Sequence, residues 1–379
     1  MGNNSIWSKI SGMRYFIIAG EKSGDLHGSN LIRELIINDP SSEIRCWGGD
    51  LMKAAGAVLL MHYSETAFMG FTDVIRNLGK IRSLMLQCRK QIMQFRPDVL
   101  ILIDYPGFNL RMAEFAKKEK IPVFYYISPK LWAWNESRVK KIRKYVDKMY
   151  IIFPFEVDFY RKHNFKADYY GNPLMDEMEK KMIDSIDKEA LRQSLKLDEK
   201  PVISILAGSR KSEIVQILPN MLEVIPYFEE YQFIIAGVEN ISDDLYNKIS
   251  GNANVRLIKG KTYELLQISD AALVASGTAT LETALLNVPQ VVCYRGDFIS
   301  MVIAWAVIRV RYISLVNLIL NGEVVRELIQ YSLNKENLIK ELEAILPGGN
   351  KREKVLEGYR QLRHKLGKAG ASSRIAGDM

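Results

Sequence analysis

The sequence predicts an α/β protein with two doubly wound, Rossmann-like domains that face a cleft. Apolar runs alternate with helical patterns along the chain, and each run is continuous rather than alternating with polar residues. Such runs are typical of parallel strands covered on both faces, and their alternation with helices is typical of doubly wound sheets. The predicted strands are Tyr15–Ala19, Val99–Ile103, Val123–Ile127, Met149–Phe153, Val202–Leu206, Phe233–Ala236, Val255–Ile258, Ala271–Ala275 and Val291–Tyr294.

A charged, strand-free stretch between Pro173 and Pro201 predicts the boundary between the two domains. The final helical pattern has no strand after it, so we expect it to cross back and complete the first domain. The expected segments are a tail (residues 1–12), a first domain (13–173 with 350–379), a linker (174–200) and a second domain (201–349).

The composition is that of a soluble globular protein, with 48% hydrophobic and 25% charged residues among 379. Three cysteines, Cys46, Cys88 and Cys293, lie far apart, which argues against a disulfide framework and a zinc site. No D-x-D motif is present, which argues against a metal-dependent sugar-nucleotide site. We expect no metal and no cofactor. The N-terminus lacks a signal peptide's apolar region, which predicts a cytoplasmic protein.

The positive charge is concentrated in the first half of the chain. Residues 1–174 carry 26 Lys and Arg against 17 Asp and Glu, a net charge of +9, whereas the remainder carries −1. Two basic segments, 71–96 and 129–148, the second with Trp132 and Trp134, match the pattern of an anionic membrane interface. Ordinary solvated helix faces would give the same pattern, and no nucleic-acid-binding motif is present.

A phosphate site is predicted where the strand Ala271–Ala275 ends. The next residues, Ser276, Gly277 and Thr278, begin a helix whose free N–H groups and dipole suit a phosphate. Glu282 lies one turn further on the same helix face, where a carboxylate could hold both hydroxyls of a ribose. An ordinary βα connection is the alternative interpretation. A second candidate phosphate turn, the Gly-Ser-Arg sequence from Gly208 to Arg210, follows the strand Val202–Leu206 and offers further hydrogen-bond donors for a phosphate.

The first domain has polar residues at two strand ends. Asp104 follows Val99–Ile103, and we expect it to face the cleft with a somewhat raised pKa; its alternative role is a helix N-cap. The first strand ends in GEKSGDLHG (20–28), whose glycines allow close approach of a ligand and whose polar side chains include Glu21, Asp25 and His27. His27 is either a base or a hydrogen-bond partner.

Ordered motifs along residues 13–365 resemble those of the lipid-A-disaccharide synthase family. They are GEKSGDLHG, MGFTDVI, IDYPGFN, YYISPKLWAW, FPFE, YGNP, LAGSR, SGTATLE and SLVN. The resemblance implies an inverting glycosyltransferase of the GT-B fold, bound peripherally to the inner membrane. Its donor would be UDP-2,3-diacylglucosamine and its acceptor 2,3-diacylglucosamine 1-phosphate, joined into a β-1,6-linked disaccharide phosphate with release of UDP.

The motifs and the resemblance together predict the site residues, with Asp104 as the general base. Predicted donor contacts are Gly208, Ser209, Arg210, Ser276, Gly277, Thr278, Thr280 and Glu282, to which the resemblance alone adds Arg295 and Asn317. Predicted acceptor contacts are Glu21, Ser23, Gly24, Asp25, His27, Met69, Asn109 and Trp132.

Two other functions fit parts of the same pattern. The first is a different two-domain UDP-sugar enzyme, such as a UDP-N-acetylglucosamine 2-epimerase or a peptidoglycan-type glycosyltransferase. The second is a binding protein that holds a nucleotide sugar without catalysis. Release of UDP in the presence of both lipid substrates would distinguish the disaccharide synthase from these two alternatives.

Overall fold

The computed structural model describes residues 12–66, 78–134, 136–181, 187–296 and 310–379. It divides into two compact units. The first comprises residues 1–176 and 368–379, and the second comprises residues 177–367. None of the described helices has both the length and the apolar content needed to cross a bilayer.

The first unit is built on a parallel seven-stranded sheet with the order β3-β2-β1-β4-β5-β6-β7. Its strands are β1 Arg14–Ala19, β2 Glu43–Gly48, β3 Val58–His62, β4 Val99–Ile103, β5 Val123–Tyr126, β6 Lys148–Ile151 and β7 Asp168–Tyr169. Its helices are Lys22–Asn38, Asp50–Ala54, Tyr63–Thr66, Leu78–Phe95, Pro106–Lys118, Leu131–Trp134, Val139–Tyr145, Phe155–Lys162 and Ala371–Asp378, and helix Pro173–Lys181 leads into the second unit.

The second unit is built on a parallel six-stranded sheet with the order β10-β9-β8-β11-β12-β13. Its strands are β8 Val202–Leu206, β9 Gln232–Gly237, β10 Val255–Lys259, β11 Ser269–Ala275, β12 Gln290–Tyr294 and β13 Arg326–Ile329. Its helices are Lys188–Ser194, Lys211–Leu222, Asp243–Ser250, Thr262–Gln267, Thr278–Leu285, Leu315–Leu320, Lys335–Ile345 and Arg352–Leu366.

These strand orders confirm the predicted doubly wound fold class. In each sheet the central strands are almost wholly apolar and buried, for example Val99–Ile103 and Ala271–Ala275. The strands that the sequence did not predict, β2, β3, β7 and β13, lie toward the sheet edges. In β2, β7 and β13 charged residues interrupt the apolar run that made the others recognisable. β3 is apolar over residues 58–61, but its residues are half-buried or exposed, and it was not predicted from the sequence.

The chain's C-terminal part corrects the expected domain boundaries. Helix Arg352–Leu366 belongs to the second unit, where Tyr359 donates to the carbonyl of Val288 and Arg363 to that of Leu285. Only residues 368–379 belong to the first unit. The helical pattern alone gave no way to choose between the two sheets, because both offer an apolar face to an amphipathic helix.

Two carboxylates fix the last helix to the first unit. Asp176 accepts hydrogen bonds from the N–H groups of Gly370, Ala371 and Ser372 at 2.6, 3.1 and 3.1 Å. At the other end, Asp378 accepts from the hydroxyl of Tyr150 at 2.9 Å. The predicted linker is also structured at its end, because residues 188–194 form a helix.

Candidate functional site

The first unit places Glu21 and Asp104 together at its topological switch point. Strand β1 pairs with β4, with Ala19 opposite Ile103, and the strand order runs outward in opposite directions from this pair. Doubly wound sheets bind ligands beyond the carboxyl ends of the strands at such a point. Glu21 follows β1 and Asp104 follows β4, so both carboxylates lie at this edge.

The backbone at Asp104 and Tyr105 is strained. Both residues have left-handed conformations, with φ of 43° and 49°, which non-glycine residues rarely adopt. The hydroxyl of Tyr125 donates to the carbonyl of Asp104 at 2.6 Å, and Nδ2 of Asn109 donates to the same oxygen at 2.8 Å. Position 20 must be a glycine, because a Cβ at this position would lie only 2.3 Å from the ring of Tyr105.

The surroundings of Asp104 favour a carboxylate that can act as a base. Burial, and next the negative charge of Glu21, raise its pKa to about 6, while Lys130 and the N–H of Tyr105 act in the opposite direction. With this pKa the group is mostly ionised at pH 7. A carboxylate of this kind accepts a proton more readily than an exposed one and is still available to do so. The predicted direction of the pKa shift is therefore confirmed.

The loop that carries Lys130 is joined to its neighbour by a buried carboxylate, for which the sequence predicted no role. Glu156 is only 1% exposed and accepts hydrogen bonds from the indole N–H of Trp132 at 3.1 Å and from the N–H of Phe153 at 3.0 Å. Burial raises the pKa of Glu156 to about 7. These bonds join the loop after β5 to the loop after β6. They also correct one prediction: Trp132 is buried, and its polar edge is occupied by Glu156 rather than an acceptor.

Asp25 has a structural role instead of the predicted contact with the acceptor. It is 3% exposed, and its carboxylate accepts from the N–H groups of Gly49, Leu51 and Met52 at 2.8, 3.1 and 3.0 Å. It thereby satisfies the free donors at the start of helix Asp50–Ala54.

Asn109 and Gly24 also differ from prediction. Asn109 is fully buried and supports the Asp104 turn through its amide, and Gly24 is buried where helix Lys22–Asn38 packs on Ala19. Of the remaining predicted acceptor contacts, Ser23 is exposed and His27 half-buried on that helix. Met69 lies outside the described residues.

The second unit places two predicted donor turns next to each other at its own switch point. Strand β8 pairs with β11, so the turns that contain Gly208 and Gly277 follow neighbouring strands. Helix Thr278–Leu285 has no side-chain cap. The N–H of Thr280 donates to the carbonyl of Gly277 at 3.2 Å, so Thr278 and Ala279 offer the N–H groups at this helix start. Glu282 is half-buried on this helix and accepts a hydrogen bond from the hydroxyl of Tyr263 at 2.7 Å. This bond orients the carboxylate proposed for the ribose.

The Gly-Ser-Arg turn differs from the predicted phosphate loop. Gly208 has a φ of 112°, and the carboxylate of Glu213 accepts from the N–H groups of Ser209 at 3.0 Å and Arg210 at 3.3 Å. The backbone donors of this turn are therefore occupied within the chain. The side chains of Ser209 and Arg210 are exposed and can still reach a ligand.

Two further predicted donor contacts are structural. Asn317 is fully buried; its amide donates to the carbonyl of Val325 at 2.8 Å and accepts from the N–H of Val324 at 2.8 Å. Thr280 is also fully buried, and its hydroxyl donates to the carbonyl of Gly277 at 2.8 Å. Arg295 is exposed and donates to Asn220 at 2.8 Å.

The comparisons with known proteins agree with one another. Residues 15–376 match the family model described as lipid-A-disaccharide synthetase. A lipid-A-disaccharide synthase of Syntrophus aciditrophicus is 38% identical over 367 residues, which are 95% of each chain.

Solved structures are similar in fold. A UDP-GlcNAc 2-epimerase of Neisseria meningitidis superposes with a TM-score of 0.64 at 16% identity, covering 96% of this chain and 99% of its own. The calicheamicin glycosyltransferase CalG4 gives 0.58 at 13% identity, covering 97% of both chains. At these identities the likeness concerns the two-domain GT-B fold alone.

The structural role of Asp25 can be tested by replacing it with alanine. We expect Asp25→Ala to lower the free energy of unfolding by about 2–3 kcal/mol, because three N–H groups lose a charged acceptor and two of those bonds are buried. Denaturant unfolding measures this loss. Ser23→Ala, at an exposed position of the same helix, should change stability by less than about 0.5 kcal/mol. Unchanged stability with a selective loss of acceptor affinity would instead restore the binding role.

Proposed function

The chain belongs to the lipid-A-disaccharide synthetase family and is a glycosyltransferase of lipid A biosynthesis; we propose that it works by a single displacement with Asp104 as general base. The proposed donor is UDP-2,3-diacylglucosamine, and the proposed acceptor is 2,3-diacylglucosamine 1-phosphate. The observation that carries the mechanism is Asp104 itself, a half-buried carboxylate on a constrained turn at the switch point, with a pKa of about 6.

The reaction proceeds in one step at the anomeric carbon of the donor. Asp104 takes the proton of the acceptor's 6-hydroxyl as that oxygen forms a bond to the anomeric carbon. The bond between this carbon and the diphosphate oxygen breaks on the opposite face, and UDP leaves with the bonding electrons. Attack opposite the leaving group inverts the configuration, which gives the β-1,6 linkage.

The second unit stabilises the leaving group. The first N–H groups of helix Thr278–Leu285 and the exposed guanidinium of Arg210 are suited to the negative charge that grows on the diphosphate. Glu282, oriented by Tyr263, accepts hydrogen bonds from the ribose hydroxyls.

The first unit binds the anionic inner-membrane surface from the cytoplasmic side. Helix Val139–Tyr145 supports this proposal because Lys140, Lys141 and Lys144 are all exposed on it. Trp132 makes no contribution because it is buried, and the side chain of Trp134 lies outside the described residues.

The rival enzyme function, a UDP-sugar 2-epimerase, is not favoured. The epimerase is similar in fold at 16% identity, whereas the synthase relative is 38% identical over 95% of the chain. An epimerase also needs only a soluble nucleotide sugar. An epimerase function would therefore not explain the basic surface of the first unit.

Replacement of Asp104 tests the mechanism directly. Asp104→Asn keeps the shape of the side chain but cannot accept the proton, so turnover should fall by about 10²–10⁴-fold. UDP release in the presence of both lipid substrates measures turnover, and calorimetry should show UDP affinity unchanged. Melting must be followed in parallel because the turn is strained. A folded variant with near-normal turnover would mean that another group, such as Glu21 or His27, is the base.

The pH dependence of kcat/KM gives a control that does not remove Asp104. Activity of the native enzyme should rise with pH through about 6, because the base must be ionised. Glu21→Gln removes a charge that raises this pKa and should move the profile to lower pH. Lys130→Met removes a charge that lowers it and should move the profile to higher pH. Shifts in the same direction would contradict the assignment.

Glu282→Ala tests the ribose contact. Loss of a pair of charge-assisted hydrogen bonds should weaken UDP binding by about 2–3 kcal/mol while slowing the chemical step less. Tyr263→Phe is the matched control, because it removes the hydroxyl that donates to Glu282 but keeps the carboxylate, and it should cause a smaller loss. Titration with UDP by calorimetry measures both. Equal affinity in the native protein and in Glu282→Ala would remove Glu282 from the site.

Membrane binding is tested by sedimentation with vesicles. The native protein should bind anionic vesicles at low salt and be released at high salt. Changing Lys140, Lys141 and Lys144 to Gln should weaken binding by about 1 kcal/mol for each lysine that contacts the surface.

The control for this test carries the same charge change in the second unit. Lys188, Lys196 and Lys248 are exposed there, and their change to Gln should leave vesicle binding nearly intact. Equal losses in the two triple variants would mean that only total charge matters, and binding to neutral vesicles as strong as to anionic ones would exclude an electrostatic interface.

A further inference from the structure

The first unit contains a cavity that the proposed mechanism does not use. It has a volume of about 450 Å³ and is lined by residues of helices Leu78–Phe95 and Pro106–Lys118. This size lies within the range of small-ligand sites. Its lining residues are Ile81, Arg82, Met85, Leu86, Arg89 and Arg111.

The three arginines of this cavity have no anionic partner within the described residues. Arg82, Arg89 and Arg111 form no ion pair there. Nε of Arg89 is buried without a hydrogen-bond acceptor in the same part of the chain. The guanidinium of Arg89 lies over the ring of Phe115 at 5.2 Å, and Arg82 and Arg111 are exposed. A bound anion would supply the acceptor that Nε of Arg89 lacks and would offset the positive charge of all three side chains.

The rest of the cavity wall is apolar. Ile81, Met85 and Leu86 line it, and Leu86 is 57% exposed although it is a large hydrophobic residue. Guanidinium groups beside an apolar wall match a ligand that has an anionic group joined to a hydrocarbon chain. A free nucleotide or a simple anion would leave the apolar wall in water.

The cavity is held in a fixed position relative to Asp104. Arg111 lies in the helix that begins just after the catalytic turn, about 7–8 Å along the axis from its first residue, Pro106, at 1.5 Å per residue. Phe108 stacks on Trp47 at 5.6 Å, and the indole N–H of Trp47 donates to Gln91 of helix Leu78–Phe95 at 2.7 Å. The two helices that line the cavity are thus joined through a packed aromatic pair.

We propose that this cavity binds the 1-phosphate of the acceptor together with the first part of an acyl chain. The inference rests on the proposed function, because that function places the acceptor's 6-hydroxyl beside Asp104. The phosphate and the carbon that bears the 6-hydroxyl are attached on either side of the ring oxygen of the sugar, so with the hydroxyl at Asp104 we expect the phosphate to point toward Arg111. Three guanidinium groups suit a phosphate monoester, which carries nearly two negative charges, better than the single charge of a phospholipid diester.

The test uses the full-length protein and a soluble probe, dodecyl phosphate below its micelle concentration. Calorimetry should show one bound molecule per chain. Arg111→Gln and Arg89→Gln should each weaken binding by about tenfold or more, the expected effect of losing a charge-assisted hydrogen bond. Arg161→Gln, an exposed arginine of the same unit, is the matched control and should leave affinity unchanged.

Two further arms decide the class of ligand. Dodecylphosphocholine, a zwitterionic diester, should bind at least tenfold more weakly than dodecyl phosphate, and equal affinities would overturn the assignment to a phosphate monoester. Leu86→Glu should weaken the binding of dodecyl phosphate but leave the affinity for UDP unchanged. Binding of dodecyl phosphate that none of the arginine changes affects would place it outside the cavity and overturn the proposal.

Kinetics separate this inference from the proposed function. If both hold, Arg111→Gln raises the acceptor KM about tenfold with little change in kcat or in UDP affinity. Suppose that the native enzyme releases no UDP with the lipid substrates but binds dodecyl phosphate through the arginines. This result would contradict the proposed function but support the anion site. A native enzyme that turns over normally, with Arg111→Gln equal to it in KM, would contradict the site and leave the function.

Discussion

The first unit depends on one constraint, the left-handed turn at Asp104 and Tyr105. Two consecutive non-glycine residues in this conformation cost on the order of 1–3 kcal/mol each. The hydrogen bonds from Tyr125 and Asn109 to the carbonyl of Asp104 offset part of this cost, and they also fix where the side chain points. Without a turn, the backbone would continue from β4 into helix Pro106–Lys118 with Asp104 as an ordinary cap. The strained turn therefore keeps the carboxylate of Asp104 away from the helix start, so that it remains available as a base.

The same turn determines the electrostatics of the proposed base. Because β1 and β4 are paired, a residue that follows one strand lies near a residue that follows the other, so Glu21 raises the pKa of Asp104. Lys130 opposes this effect, and it is positioned by a loop that Glu156 joins to its neighbour through Trp132. The pKa is thus set by three strand ends of one parallel sheet. The second unit repeats the arrangement, since its candidate donor residues follow the paired strands β8 and β11.

The sequence predicted the fold and the strand ends well because both depend on local pattern. Continuous apolar runs mark buried parallel strands, and polar residues directly after them mark the ligand-binding edge. The sequence did not distinguish polar residues that contact a ligand from polar residues that satisfy backbone groups of the protein. Asp25 and Asn317 are as polar as Asp104, but they satisfy backbone groups of neighbouring segments. That choice depends on which segment the fold brings close, for example Gly49 to Asp25, and spacing along the chain does not contain this information.

The two helix starts of the second unit show how such a local choice bears on the donor site. Helix Lys211–Leu222 begins with a glutamate four residues after Ser209, and this Glu213 occupies the N–H groups that a phosphate would use. Helix Thr278–Leu285 has neither a capping side chain nor an acidic residue in its first turn. A carboxylate already bound at one helix start repels a second anion there, whereas the start without a carboxylate keeps the N–H groups of Thr278 and Ala279 and the positive end of its dipole for a ligand. We therefore expect the diphosphate at Thr278, with Arg210 approaching from the side through its guanidinium rather than through the backbone of its loop.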